Sequence, residues 1–361
     1  MAIKIPVYKP SLTGNEKKYV IDCLDSTWIS SKGKYIQAFE DRFASYVGVA
    51  HATSVCNGTV AIHLALLALG IEAGDEIIVP AFTYIASVNA ITYTGAKAVF
   101  VDSLEDSWQM DPEDVVKKIT PKTRAVMAVH LYGQPCKLDV LQKICKERGL
   151  YLIEDCAEAI ASRYMGKHVG TFGDISAFSF FGNKTITTGE GGMVVTNNPE
   201  LHEKASHLKT QAVSPKRQYW HDAVGYNYRM TNICAAIGLA QMEQIETFVA
   251  QKRNIASYYQ KHIDPTRYTF HHECADSFHS YWMCSLLVKN GDRDTVRNKL
   301  AEHGIETRPL FYPVQMMPPY QNKDLYFPVA HKLGLNGMNL PSFPGLTEEE
   351  IHFVVDKINT I

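Results

Sequence analysis

Arg124-Ala125-Val126-Met127-Ala128-Val129-His130-Leu131 and Leu150-Tyr151-Leu152-Ile153-Glu154-Asp155 bracket a helical pattern over residues 138–148. Both outer segments are short and apolar, and their apolar residues run on without alternating with polar ones. Such runs are strands covered on both faces, so the strand–helix–strand unit predicts a mostly parallel sheet layered by helices. Toward the N-terminus the same grammar repeats. Strands are predicted at 76–80 and 96–102, with helices at 60–69, 84–93 and 112–119. Toward the C-terminus two more strands are expected, at 177–181 and 192–196.

Past this layer the pattern changes. Ile233, Ala236, Ile237, Leu239, Ala240, Met242 and Ile245 form one apolar face, which predicts a single amphipathic helix over 231–248. A helix at 249–262, a strand near 280–288, a helix at 293–303, a strand near 305–310 and a last helix at 348–358 suggest a smaller α+β domain. The 361 residues therefore divide into an expected large domain, 1–245, and a small C-terminal domain, 246–361.

Composition narrows the function classes. With 46% hydrophobic and 20% charged residues and a formal charge of -2, the chain has no broad positive field for nucleic acid. The eight cysteines include no C-x-x-C pair and read as free thiols of a reducing compartment. The first residues lack a signal-peptide core, and no apolar run nears the roughly 20 residues that span a bilayer. A cytoplasmic protein is expected, with no membrane partner.

Four segments at the expected strand ends could carry chemistry. In Ser179-Phe180-Phe181-Gly182-Asn183-Lys184, followed by Gly189, Gly191 and Gly192, a lysine sits among apolar and small residues. A desolvated lysine loses its proton readily, as a Schiff-base amine must, and the glycines let backbone approach a flat ligand. The plainer reading is a loop lysine beside a hairpin turn. Asp155 ends an apolar strand, where open α/β sheets present ligand-binding groups; its alternative is a helix N-cap. Asn57-Gly58-Thr59 opens a helix, so its amides can cradle a phosphate or simply cap the helix. Tyr84 could stack on a planar ring or pack into the core. Together these supply an amine, a carboxylate to hold a pyridine nitrogen protonated, a phosphate cradle and a stacking ring, the requirements of pyridoxal 5'-phosphate (PLP). No metal site is expected, because the histidine pairs 271/272 and 202/207 lack ligand spacing. The absent glycine fingerprints and nucleophile elbow disfavour dinucleotide, nucleoside-triphosphate and serine-hydrolase readings.

Blocks along nearly the whole chain carry a family resemblance: Trp28-Ile29-Ser30-Ser31-Lys32-Gly33, Asn57-Gly58-Thr59, Gly74-Asp75-Glu76-Ile77-Ile78-Val79-Pro80, Val129-His130-Leu131-Tyr132-Gly133, Glu154-Asp155, the Lys184 segment, Gly225-Tyr226-Asn227-Tyr228-Arg229-Met230 and Glu306-Thr307-Arg308-Pro309. The chain resembles the DegT/DnrJ/EryC/StrS nucleotide-sugar aminotransferases, a family of fold-type I PLP enzymes. The resemblance implies that Lys184 joins the cofactor covalently and that Asp155 partners the pyridine nitrogen. It also implies that Tyr84 stacks on the ring and that Gly58, Thr59 and Ser179 hold the phosphate. Asn227 would reach the phosphate of the neighbouring subunit, giving a homodimer with shared active sites. Glu158 stands where relatives carry Gln or His near the cofactor's 3-hydroxyl. Residues 176–192 and 218–222 are most similar to members that aminate C4 of GDP-4-keto-6-deoxy-mannose with L-glutamate, a step toward O-antigen amino sugars. Trp220, His221, Arg229 and Arg308 are then candidates for the substrate. A related sugar 3-dehydratase carries histidine in place of Lys184. Two alternatives remain: a sibling aminotransferase on a UDP- or dTDP-linked keto-sugar, and a catalytically silent protein on the same scaffold, whose expected loss of lysine or acid is absent.

Overall fold

The computed structural model describes residues 4–361. Its main layer holds strands β1 (His51–Val55), β2 (Glu76–Pro80), β3 (Lys97–Val101), β4 (Thr123–Val129), β5 (Tyr151–Asp155), β6 (Ile175–Ser179) and β7 (Gly192–Thr196) in the order β1-β7-β6-β5-β4-β2-β3. Strands β3, β2, β4, β5 and β6 run parallel, while β7 is antiparallel to both β1 and β6. The continuous apolar runs follow from burial on both sides. Ile77, Val79, Ala125, Met127, Val129 and Ile153 enter one core, and the intervening Ile78, Val126, Ala128 and Leu152 enter the other, as the two-residue period of a strand dictates.

Helices cover both faces. α1 (Glu16–Asp25) and α2 (Lys34–Val47) pack with α8 (Asn232–Met242) on one side. α3 (Gly58–Ala68) packs on β6 and β7 and beside α4 (Ile85–Tyr93) on the other. Between β2 and β6 come α5 (Pro112–Lys118) and α6 (Leu138–Arg148), and α7 (Pro199–Leu208) follows β7. The expected helix over 231–248 is in fact two, because α8 stops at Met242 and α9 (Ile245–His262) starts afresh. Asn15 and Tyr19 hydrogen-bond the Glu243 carboxylate at 2.7 and 2.6 Å, pinning the turn to the start of α1 and turning the chain toward a second sheet.

That sheet is β8 (Tyr268–Phe270), β9 (Cys284–Val288), β10 (Arg308–Pro309) and β11 (Gly337–Leu340), all antiparallel in the order β8-β9-β11-β10. With α9, α10 (Arg293–Glu302) and α12 (Glu348–Thr360) it encloses a third core, and α11 (Pro328–Asn336) leads into β11. The N-terminal segment joins this layer, with Ile5 bridging Ile305 and the Val7 N–H donating to Glu306 at 3.0 Å. The layers meet closely at Gly133 (φ 104°), where a Cβ would lie 2.7 Å from Ser280 Oγ and 2.9 Å from the Tyr281 nitrogen. Only glycine permits that approach.

Candidate active site

Strands β2, β5 and β6 all deliver their carboxyl ends to one cavity of about 670 Å³. Asp155 ends β5, Glu158 follows three residues later, and Lys184 sits on the loop beyond β6; all three line the cavity. The apolar strands fix this convergence, since each must end at the same rim to keep its register. Another hollow, of about 490 Å³, lies against Trp28, Lys32 and Gly33, shares no residue with the cavity and offers no buried nucleophile or acid.

The Lys184 side chain is 13% exposed, and its Nζ lies 4.0 Å from Glu158 Oε1. Burial pulls the Lys184 amine below the ordinary lysine range, against the opposing pull of Glu158 and Asp155. Burial pushes the Glu158 carboxyl up to about 7, opposed by Lys184 and by the Tyr132 N–H that donates to it at 2.9 Å. Burial also raises Asp155, against hydrogen bonds from Ser87 Oγ at 2.7 Å and the Ala157 N–H at 3.0 Å. Those two donors favour the ionised carboxylate and orient it.

At one end of the cavity Asn57 caps α3 by accepting the Val60 N–H at 3.0 Å. Among the described residues the Gly58 and Thr59 N–H groups have no partner, so they and the helix dipole are available to an anion. A Cβ on Gly58 would sit 2.6 Å from the Ser179 Cβ, so glycine keeps the space beside that hydroxyl open. A cradle for anions, a buried acid and a buried amine lining one cavity fit PLP.

The cavity gathers Lys184, Asp155, Glu158, Gly58, Thr59, Tyr84, Ser179 and Arg308. Tyr84 caps α4 at its N-terminus, 5.5 Å from the Phe311 ring. Asn227, Trp220, His221 and Arg229 are not in the lining; they belong to an arm at 211–229, where Arg229 donates to the side-chain Oδ1 of Asn227 at 2.9 Å. The sequence reading missed Ser87, which backs Asp155, and Trp282, on which Lys184 rests. Ser87 was within reach, three residues beyond Tyr84 on the same helix.

Among the described residues one trio of metal-ligand types converges, His130, Glu154 and Cys156, all buried. Its atoms are already engaged. Glu154 accepts the N–H groups of Gly170, Phe172 and Gly173 at 2.8, 2.9 and 2.7 Å, and His130 Nε2 lies 3.0 Å from it. The Cys136 N–H fills the His130 Nδ1 lone pair at 3.1 Å, so neither ring nitrogen is free for an ion. The trio thus ties β5 to the loop before β6. No helix among the described residues is long and apolar enough to cross a membrane.

A sequence profile of the DegT/DnrJ/EryC1/StrS aminotransferase family matches residues 10–359. GDP-perosamine synthase from Escherichia coli O157:H7 is 60% identical over 356 residues, spanning 98% of each chain. The enzyme of that name from Vibrio cholerae is 52% identical over 96% of each chain. A Streptococcus pneumoniae chain solved in its PLP form superposes with a TM-score of 0.94 at 27% identity, covering 100% of this chain and 98% of that one.

Proposed function

The chain belongs to the DegT/DnrJ/EryC1/StrS aminotransferase family and is a PLP-dependent enzyme; from that premise we propose that it moves the amino group of L-glutamate to C4 of GDP-4-keto-6-deoxy-mannose, forming GDP-perosamine and 2-oxoglutarate. One observation carries the chemistry: a single buried cavity brings the Lys184 amine and two carboxyl groups, Asp155 and Glu158, together beside a phosphate cradle. The choice of sugar and nucleotide rests on the identity to the two GDP-perosamine synthases.

PLP supplies an aldehyde that joins amines and a ring that takes up the electrons left when a neighbouring carbon loses its proton. Lys184 would hold the cofactor covalently and, once displaced by the amino donor, carry a proton between the donor carbon and the cofactor carbon. Burial, which lowers the proton affinity of this amine, favours the uncharged form that accepts that proton. Asp155, held by Ser87 and Ala157, would keep a proton on the ring nitrogen placed against it. Glu158, whose proton affinity burial raises, would donate to a phenolic oxygen. Gly58, Thr59 and Ser179 would hold the phosphate, and Tyr84 would face the ring. Arg308, 3.4 Å from Glu306 at the cavity mouth, is the cation available to an anionic substrate. Asn227, Trp220, His221 and Arg229 would serve the neighbour's site in a homodimer.

The test is a coupled assay with GDP-, UDP- and dTDP-linked 4-keto-6-deoxy sugars and L-glutamate. The GDP sugar should give the highest kcat/KM, and product NMR should place the new amine on C4. A preference for a UDP or dTDP sugar would overturn the substrate.

A further inference from the structure

Lys184 Nζ lies 4.0 Å from the centroid of the Trp282 ring, on its face. Trp282 is 4% exposed, and its Nε1–H donates at 2.7 Å to the carbonyl of Asn183, the residue just before the lysine. One indole therefore grips the lysine twice, by its amine and by its preceding peptide. The indole is itself fixed. It lies parallel to Tyr132 (9° between planes, centroids 6.0 Å apart), and Tyr132 stacks on Phe311 at 5.2 Å. The Tyr132 N–H holds Glu158, the other group beside the amine.

Trp282 comes from the small-sheet side, two residues before β9, and reaches the cavity because the chain passes against Gly133. Tyr281 and Tyr132 both hold left-handed backbone (φ 50° and 58°), a cost that bulky residues bear only where the surroundings fix them.

We infer that Trp282 is a positioning residue for Lys184: its ring face holds the amine and its N–H holds the adjoining peptide during the part of the cycle in which the lysine is not joined to the cofactor. The inference rests on the role proposed for Lys184. An unattached lysine on a flexible stem would wander toward Glu158 or out of the cavity. An aromatic face attracts the ammonium without accepting its proton, so the amine stays in place and remains able to give the proton up.

The test reads Lys184 directly, in the full-length chain freed of cofactor, by trace acetic-anhydride labelling across pH and mass spectrometry of the Lys184 peptide. The other groups facing this amine are Glu158, Asp155, Tyr84, Glu190 and Arg308, with Tyr8 hydrogen-bonded to the lysine carbonyl. Glu158 titrates nearest, so the series is repeated with Glu158→Gln. Trp282→Leu should lower the labelling midpoint by about 0.5–1 pH unit, and Trp282→Phe, which keeps a face, should recover most of it. Replacing the four tryptophans biosynthetically with mono- and difluorotryptophan keeps the ring's shape and its N–H donor, which fluorine strengthens, while weakening the face; the midpoint should then fall stepwise with fluorine number. With cofactor restored, Trp282→Leu should lower kcat about tenfold while KM for glutamate stays within about twofold, since the loss lies in the step after donor binding. A midpoint indifferent to fluorination overturns the inference. So does a Trp282→Phe protein that matches Trp282→Leu in every reading. Borohydride reduction of the loaded enzyme followed by peptide mapping keeps the questions apart, because cofactor fixed anywhere but Lys184 would sink the lysine's role rather than the tryptophan's.

Discussion

Lys184, Asp155 and Glu158 are walled in by their own chain, whereas the arm at 211–229, anchored by half-buried Tyr226 and Tyr228, leaves other apolar side chains in solvent: Tyr219 is 91% exposed, Val224 84% and Trp220 48%. The arm is nonetheless shaped. Gln211, Ala212 and Tyr219 hold left-handed backbone, Thr210 bridges Asn227, Val213 bridges His221, and Arg217 lies over the Trp220 ring at 4.1 Å. An ordered arm with bare aromatic groups has the character of half an interface. The difference teaches that one chain encloses the amine and both carboxyl groups, while Asn227 and three of the four residues proposed for the substrate lie on an arm that would need a second copy to cover it.

The largest expected effect strikes the enclosed side. Lys184→Ala should cut turnover by about 10⁴-fold or more, because among the described residues no second amine lines the cavity. Turnover near that of the wild type would break the contrast at its root. On the open side, Asn227→Ala should cost about 10- to 100-fold through loss of positioning. Mixing the two variants sharpens the comparison. If Asn227 serves the partner's site, a mixed dimer holds one intact site, and an equal mixture should recover roughly a quarter of wild-type activity. Activity equal to the sum of the two separate proteins would return the arm to its own chain.

Much of the enclosed side was legible in the sequence. Residues 76–80, 138–148 and 192–196 were placed to the residue, because unbroken apolar runs and helical periodicity are both local signals. Lys184 and Asp155 followed from lying where such runs stop. Strand β1 escaped because His51, Thr53 and Ser54 make it look polar, as an edge strand can be. The break between α8 and α9 escaped because the apolar stripe runs through it, while Asn15 and Tyr19 of a distant helix decide it. Trp282 escaped for the same reason. Nothing near it in the sequence says that a lysine 98 positions earlier will rest on its face, and only the close packing at Gly133 brings the two together.

The smallest effect concerns what each region contributes to stability. The Glu158 carboxyl, at 4.5 when unfolded and about 7 when folded, leaves the native cofactor-free protein holding a proton that the unfolded chain has released. The Glu158 contribution to stability therefore falls as pH rises from 4.5 to 7 and changes no further above that range. Glu158→Gln removes that slope. Relative to the wild type, the variant should gain on the order of 1–3 kcal/mol between pH 5 and pH 7.5, read from denaturant midpoints of cofactor-free protein. Parallel curves for the two proteins would mean that the buried carboxyl is no burden. The arm supplies the control. His207 and Asp222 meet at 2.6 Å near the surface, and His207→Gln should change stability at pH 7.5 by less than about 1 kcal/mol. With those outcomes, the buried acid would weaken the fold at the position proposed for chemistry, whereas the exposed pair would matter little to the monomer.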